Sequence, residues 1–203
     1  MQEKPVNHKT MLERMHVTLN AFSPIPDEQW RKLLPKLHFL SVTKDTYFIR
    51  AGDIPDKLAF IAKGFFRVFY LSETGSETNL VFRDEGKLLS AYSSFLTHTK
   101  AKYFFQAMET STLIYISLDD YINLSTEHVC WMVITAKYSQ LLFIEKENRE
   151  TELLSEDAFT RYLHFMKRSP DLVNRIPQFH LASYLGITPE TLSRIRKKRK
   201  SLI

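Results

Sequence analysis

The stretch Ile176–Lys200, IPQFHLASYLGITPETLSRIRKKRK, decides how the chain is read. Pro177 suits the opening position of a helix, where a missing N–H costs no intrahelical bond. Leu181, Ala182 and Leu185 then recur at helical spacing, and Gly186 can take the positive φ at which the chain must turn. Thr188 is placed as an N-cap, with Pro189 at the first helical position and Glu190 and Thr191 filling the first turn. Leu192 and Ile195 face back onto the first helix, while Glu190, Thr191, Ser193, Arg194, Lys197 and Lys198 share the outer face. Two short helices around a tight turn, the second ending in positive charge, predict a helix-turn-helix.

The outer face carries the chemistry needed to read duplex DNA. Arg194 can make a bidentate contact to O6 and N7 of guanine, and Glu190 can accept from cytosine N4. Each good pair is worth roughly 1–3 kcal/mol of discrimination. Thr188, Thr191 and Ser193 offer hydroxyls to phosphate or base edges. Gln178, at the start of the first helix, and Lys197 and Lys198 complete the expected DNA-binding set. A carboxylate aimed at a polyanion makes sense only if it reads a base. The alternative is an amphipathic hairpin with a solvated charged face; the turn glycine, the Thr-Pro start, the spacing and the terminal charge agree on DNA.

The run Glu190-Thr191-Leu192-Ser193-Arg194 resembles the recognition helix of the CRP/FNR superfamily of bacterial transcription regulators, in which a Glu-x-x-Ser-Arg pattern reads a TGA-containing half-site. The resemblance implies that Glu190, Ser193 and Arg194 are the base-reading trio. Pro189 departs from CRP, which has Arg there.

Composition agrees with a soluble regulator. At 203 residues, 44% hydrophobic and 25% charged, the chain can hold a medium domain plus a small one around a real core. Its net charge of +5 is unevenly spread. From Arg161 onward ten basic residues face two acidic ones, leaving the first 160 residues mildly acidic. A basic tail on an acidic body is the electrostatic footprint of a nucleic-acid module attached to something else. The tail lacks the large apolar face of a membrane-surface helix. Cys130 is the single cysteine, which excludes an internal disulfide and a Cys-based zinc or iron–sulfur site. No signal sequence is evident and no apolar run approaches membrane-spanning length, so the expected location is cytoplasmic.

Upstream, Met11, Leu12, Met15 and Leu19 space a helix over His8–Asn20, broken by Ser23-Pro24-Ile25-Pro26. Asp27 caps a second short helix through Leu34, with Trp30, Leu33 and Leu34 inward and Pro35 as the stop. From Leu37 to Leu118 the period becomes that of strands: Leu37–Val42, Thr46–Ile49, Leu58–Ala62, Phe65–Leu71, Thr78–Phe82, Tyr103–Ala107 and Leu113–Ile116. Turns at Gly52-Asp53, Lys63-Gly64, Thr74-Gly75 and Glu85-Gly86 separate the earlier ones. Many short strands at such spacing predict an antiparallel barrel or double-sheet roll.

This segment resembles the cyclic-nucleotide-binding β-roll of the same superfamily, through Ile49-Arg50-Ala51-Gly52-Asp53 and Phe60-Ile61-Ala62-Lys63-Gly64-Phe65-Phe66-Arg67-Val68. The implied fold is α+β: an antiparallel β-roll of the double-stranded β-helix type, a long dimerisation helix and a C-terminal helix-turn-helix domain. In that family a Gly-Glu pair and an Arg hold the nucleotide. Here Ser90 and Ala91 stand for Gly and Glu, and Ala101 for the Arg, so cyclic nucleotide binding is not expected. Tyr92, Ser93, Lys100 and Lys102 are the candidates for another small effector, against the plainer reading of a filled core or a surface loop.

Asp119 or Asp120 opens a short helix, and Glu127–Leu154 continues with Met132 or Val133, Ala136, Tyr138, Leu141 and Ile144 as its apolar side. Trp131, Leu142 and Phe143 fall off that stripe, giving more apolar width than one contact needs, so a partner is expected. The resemblance makes this the dimerisation helix. Ser155-Glu156-Asp157 caps a helix over Ala158–Lys167 with Phe159, Tyr162, Leu163 and Met166 inward. The resulting division is an effector-type domain over 1–126, a linker helix over 127–154 and the DNA-binding domain over 155–203. With three residues given after the basic run, no C-terminal wing is expected.

The expected function is therefore a dimeric, sequence-specific regulator on a palindromic site, with double-stranded DNA as partner and RNA polymerase as a further candidate. A ligand-responsive activator and a non-specific DNA-binding protein are the alternatives. No enzyme is expected: the seven histidines are scattered, and there is no metal-ligand spacing, phosphate loop or nucleophile motif. His180 is read as a surface or phosphate neighbour.

Overall fold

A computed structural model describes residues 7–200. Helix α1 (His8–Asn20) is capped by Asn7, whose Oδ1 accepts from the Lys9 N–H at 3.1 Å. Helix α2 (Asp27–Leu33) runs into a 3-10 turn, Leu34–Lys36, that includes Pro35. On α2 the inward residues are Gln29 and Leu33, with Trp30 half-buried, whereas Leu34 is exposed. Gln29 is inside because its Oε1 accepts from the Trp131 indole N–H at 3.0 Å, a bond that hydropathy does not announce.

The strands are β1 (His38–Val42), β2 (Tyr47–Ile49), β3 (Lys57–Lys63), β4 (Phe66–Leu71), β5 (Glu77–Arg83), β6 (Leu88–Leu89), β7 (Phe104–Ala107) and β8 (Ser111–Ser117). They form two four-stranded antiparallel sheets, ordered β1-β8-β3-β6 and β2-β7-β4-β5. Strand β6 and the short helix α3 (Tyr92–Leu96) occupy the gap left between the sequence-derived strands. Residues alternating inward from both sheets, among them Ile49, Ile61, Phe66, Val68, Phe105 and Leu113, fill the space between them.

Outside the roll, α1 and α2 pack on the first sheet together with α4 (Leu118–Glu127) and the start of α5 (Val129–Ser155). Ser117, rather than an aspartate, caps α4 by accepting from the Asp120 N–H. Cys130 and Trp131 are buried in this cluster. Helix α6 (Ala158–Arg168) is capped by Asp157, and buries Tyr162 and Phe165 while Leu163 stays exposed. Helices α7 (Gln178–Leu185) and α8 (Pro189–Lys200) follow. Among the described residues, no helix is long and apolar enough to cross a membrane.

The C-terminal helices do not stand apart from the roll. Phe65, Phe82 and Met108 belong to the same buried cluster as Tyr162, Phe165, Leu172, Val173, Leu181, Tyr184 and Leu192. Gly64 makes this seam possible. Its φ is +91°, and a Cβ there would meet Ser111 Oγ at 2.1 Å and Ser111 Cα at 2.9 Å. Its N–H donates to Glu85 Oε1 at 2.8 Å, at the foot of the contact with the C-terminal helices. Replacing Gly64 by alanine adds left-handed strain to a steric overlap with backbone. G64A should lower the unfolding free energy by about 3 kcal/mol, read by urea denaturation.

Candidate nucleic-acid interface

The two-helix motif forms where the sequence places it. Gly186 takes φ 67°, ψ 35° and ends α7, and Thr188 Oγ1 accepts from the Thr191 N–H at 3.3 Å to open α8. Pro177 is the N-cap of α7, one position before the helix proper. Leu181, Ala182, Leu185, Leu192 and Ile195 close the seam between the helices. That burial leaves the opposite side of α8 in solvent. Gln178, Thr188, Glu190, Arg194, Lys197 and Lys198 are exposed, and Thr191 and Ser193 are half-buried.

The one carboxyl on this face is biased toward its charged form. The Glu190 carboxyl lies below its ordinary value because its own backbone N–H and the Thr188 hydroxyl bond to it. Lys198 Nζ sits 4.9 Å from the centre of the Phe159 ring, so its stem lies along α6. The basic run is not uniformly outward: Arg196 turns inward and donates to the Val173 carbonyl at 3.1 Å.

His180 is the clear departure from the sequence reading. It is 8% exposed, and faces the roll rather than solvent or phosphate. Arg67 Nη1 donates to its Nδ1 at 3.1 Å, and Asn79 Nδ2 approaches the same atom at 3.3 Å. Asn79 also donates to the His180 carbonyl, and the Asn79 N–H donates to Ser183 Oγ at 3.0 Å. Arg67, 4% exposed, is balanced by Glu77 at 2.5 Å and held through Nε by Gln106 at 2.6 Å. Burial first, and then the Arg67 charge, push the His180 imidazole down to about 4.

A second polar clamp lies nearby. Arg175 donates to both oxygens of Glu85 (3.0 and 2.9 Å) and to Glu109 at 2.5 Å, with its guanidinium over the Phe65 ring. Burial works to raise the Glu85 carboxyl, but Arg175 and the backbone donors outweigh it and hold it below the ordinary range. Neither clamp was predicted from sequence. The signal available was an arginine inside the apolar run Phe66-Arg67-Val68-Phe69, which needs a buried partner.

The candidate effector residues lie mostly at the surface. Tyr92 is half-buried on α3, its ring 6.3 Å from that of Phe95, whereas Ser93, Lys100 and Lys102 are exposed. Ala91 and Ala101 point into the filled interior of the roll. The Ala101 backbone is bonded on both sides, to Gly52 N–H and to the Asp53 carbonyl.

On α5 the inward side is Cys130, Trp131 and Ile134, with Tyr138 bonded through its hydroxyl to the backbone of Leu88. Its exposed apolar residues include Val129, Met132, Phe143 and Ile144, with Ala136 between them, and Leu153 and Leu154 near its end. Phe143 therefore lies on the outward stripe, and the helix carries two apolar faces rather than one. At its end Glu152, Glu156 and His164 come within 4.8 Å of one another. Arg168 pairs with Glu152 there, so an arginine already supplies the positive charge that a metal would bring.

Residues 39–128 match the cyclic nucleotide-binding domain family. No curated protein sequence is significantly similar to the chain. Among solved structures, FixK2 from Bradyrhizobium japonicum superposes with a TM-score of 0.73 at 13% identity, over 82% of this chain and 85% of that one. The c-di-GMP-responsive global regulator CLP from Xanthomonas campestris gives 0.68 at 16% identity, over 87% and 92%. A CooA mutant from Carboxydothermus hydrogenoformans gives 0.68 at 20% identity, over 84% and 79%. Residues 39–128 thus match a cyclic nucleotide-binding domain, and over more than four-fifths of its length the chain shares the fold of FixK2, CLP and CooA.

Proposed function

We propose that the protein is a dimeric, sequence-specific DNA-binding transcription regulator rather than an enzyme, working in the cytoplasm without a cyclic nucleotide. The observation that carries this reading is the exposed face of α8, where Glu190 and Arg194 stand beside the hydroxyls of Thr188, Thr191 and Ser193. Glu190 and Arg194 read base edges, Gln178 and Lys197 hold phosphates, and Lys198 adds charge at the same edge. The outward stripe on α5, Val129-Met132-Ala136-Phe143, advances by three, four and seven residues along one face and suits a second copy of the same helix. A twofold axis along it sets two α8 helices toward successive major grooves about 34 Å apart, on a palindromic operator.

The roll does not fit a cyclic nucleotide. Such a ligand needs a carboxylate for the ribose hydroxyl and an arginine fork for the phosphate. On the sequence reading Ala91 and Ala101 occupy those positions, and both belong to the buried cluster that includes Val42, Ile49 and Leu113. RNA polymerase remains the natural protein partner for a regulator of this build, with no residue assigned to it.

Arg194→Ala should cost about 1–3 kcal/mol on the operator and relax preference at one guanine, whereas Lys197→Ala should weaken all sequences alike and lower the salt slope by about one. Fluorescence anisotropy on matched and scrambled duplexes reads both; equal losses on every duplex from both variants would remove base reading. Replacing Met132 and Phe143 together by glutamate should weaken self-association at least about 100-fold in analytical ultracentrifugation. An unchanged dimer, or a wild-type chain that stays monomeric, would contradict the α5 interface. Calorimetry with cAMP and cGMP should give no binding tighter than about 1 mM, and a micromolar site would overturn the account of the roll.

A further inference from the structure

The Arg67–His180 junction has a donor-acceptor logic with only one solution. An arginine guanidinium has no acceptor and stays charged, so the Arg67 N–H aimed at His180 Nδ1 requires that nitrogen to be unprotonated. The Asn79 amide nitrogen points at the same lone pair while its Oδ1 faces Arg67 Nη1 at 3.4 Å. A proton on Nδ1 would set N–H against N–H and place a second positive charge 3.1 Å from Arg67. The junction lies between α7 and strands β4 and β5, so its two sides belong to the helix-turn-helix module and the roll.

The surrounding groups can all be named. From β4 comes Arg67, and from β5 come Asn79 and Glu77, the latter spent on Arg67. From β7 comes Gln106, which holds Arg67 Nε and donates to the Asp45 carbonyl in the turn before β2. From α7 itself come Ser183 and the Phe179 ring, centred 3.9 Å from the imidazole. Glu77 and Asp45 draw a proton toward His180, but burial and Arg67 outweigh them.

We propose that this junction is a pH-sensitive latch: the helix-turn-helix module stays docked on its own β-roll while the His180 ring is neutral, and lets go as Nδ1 takes up a proton. The ring titrates near its ordinary value of 6.5 when the module is free and at about 4 when it is docked. A base whose docked value is the lower one weakens docking as pH falls. The docking constant is therefore undiminished above about pH 6.5, falls about tenfold for each unit below that, and levels off near pH 4. The latch rests on the proposed DNA reading only for its consequence, that release frees the two α8 helices from a fixed separation.

The test is native-state amide hydrogen exchange on the full chain without DNA, so a failed latch and a failed DNA reading are told apart. The Asn79 N–H is bonded across the seam to Ser183 and reports undocking, while the Leu113 N–H in the roll core reports global opening. After correction for intrinsic rates, Asn79 should be less protected than Leu113 at both pH values, and its protection should fall about tenfold between pH 7.5 and 5.5; Leu113, whose global opening also frees His180, follows the same fall. His180→Gln keeps an acceptor for Arg67 at either pH and should hold Asn79 protection constant. Asn79→Asp puts a carboxylate against the ring, and should reverse the trend so that protection rises on acidification. Should His180→Gln not fold, the reversal in Asn79→Asp decides alone. A wild type without the fall, the same fall in either variant, or protection at Asn79 equal to that at Leu113 would overturn the latch.

Discussion

Arg175 stands on the segment leading into the helix-turn-helix, and its guanidinium takes both oxygens of Glu85 and one of Glu109. These charges are only half-buried, so the pairing fixes orientation more than it offsets a deep desolvation cost. Glu85 in turn receives the N–H of Gly64, whose lack of a side chain lets β4 begin against Ser111. The roll, its turn glycine and the C-terminal helices are thus tied by one chain of hydrogen bonds. Around it lie Phe65, Phe82, Phe165 and Tyr184, an apolar cluster to which both halves contribute. The clamp fixes geometry, and the cluster removes water from it.

The same arrangement explains how α8 can be both well held and open. Its inner side is spent on Leu192 and Ile195, and Arg196 anchors it through the Val173 carbonyl. Glu190, Arg194 and Lys197 then remain outward, with none of the described residues covering them. A helix held by few residues on one side presents the rest in one orientation, as groove recognition needs.

Much of this was legible in the sequence because the signals were local. Capping at Thr188, the turn at Gly186 and the strand period from β1 to β8 each depend on residues a few positions apart. The misses are of another kind. His180, the outward placement of Phe143 and the inward placement of Gln29 depend on partners far along the chain: Arg67 and Asn79, the two-sidedness of α5, and Trp131. Periodicity marks which residues are apolar, but it does not choose between two faces of a helix that is apolar on both. The short strand β6 escaped because two residues carry no period.

Helix α5 is a single run of 27 residues, fastened at its start by the Trp131–Gln29 bond and at its end by the Glu152–Arg168 pair. At the usual rise it spans about 40 Å, with no proline or glycine to absorb a bend. It therefore behaves as a lever arm. A tilt of about 5° at the Val129 end displaces the Ser155 end by about 3.5 Å, comparable to the rise of one base-pair step. Angular error near the N-terminal helices is thereby magnified where the chain hands over to α6, which makes the packing of the cluster around Cys130 and Trp131 a determinant of reach at the far end.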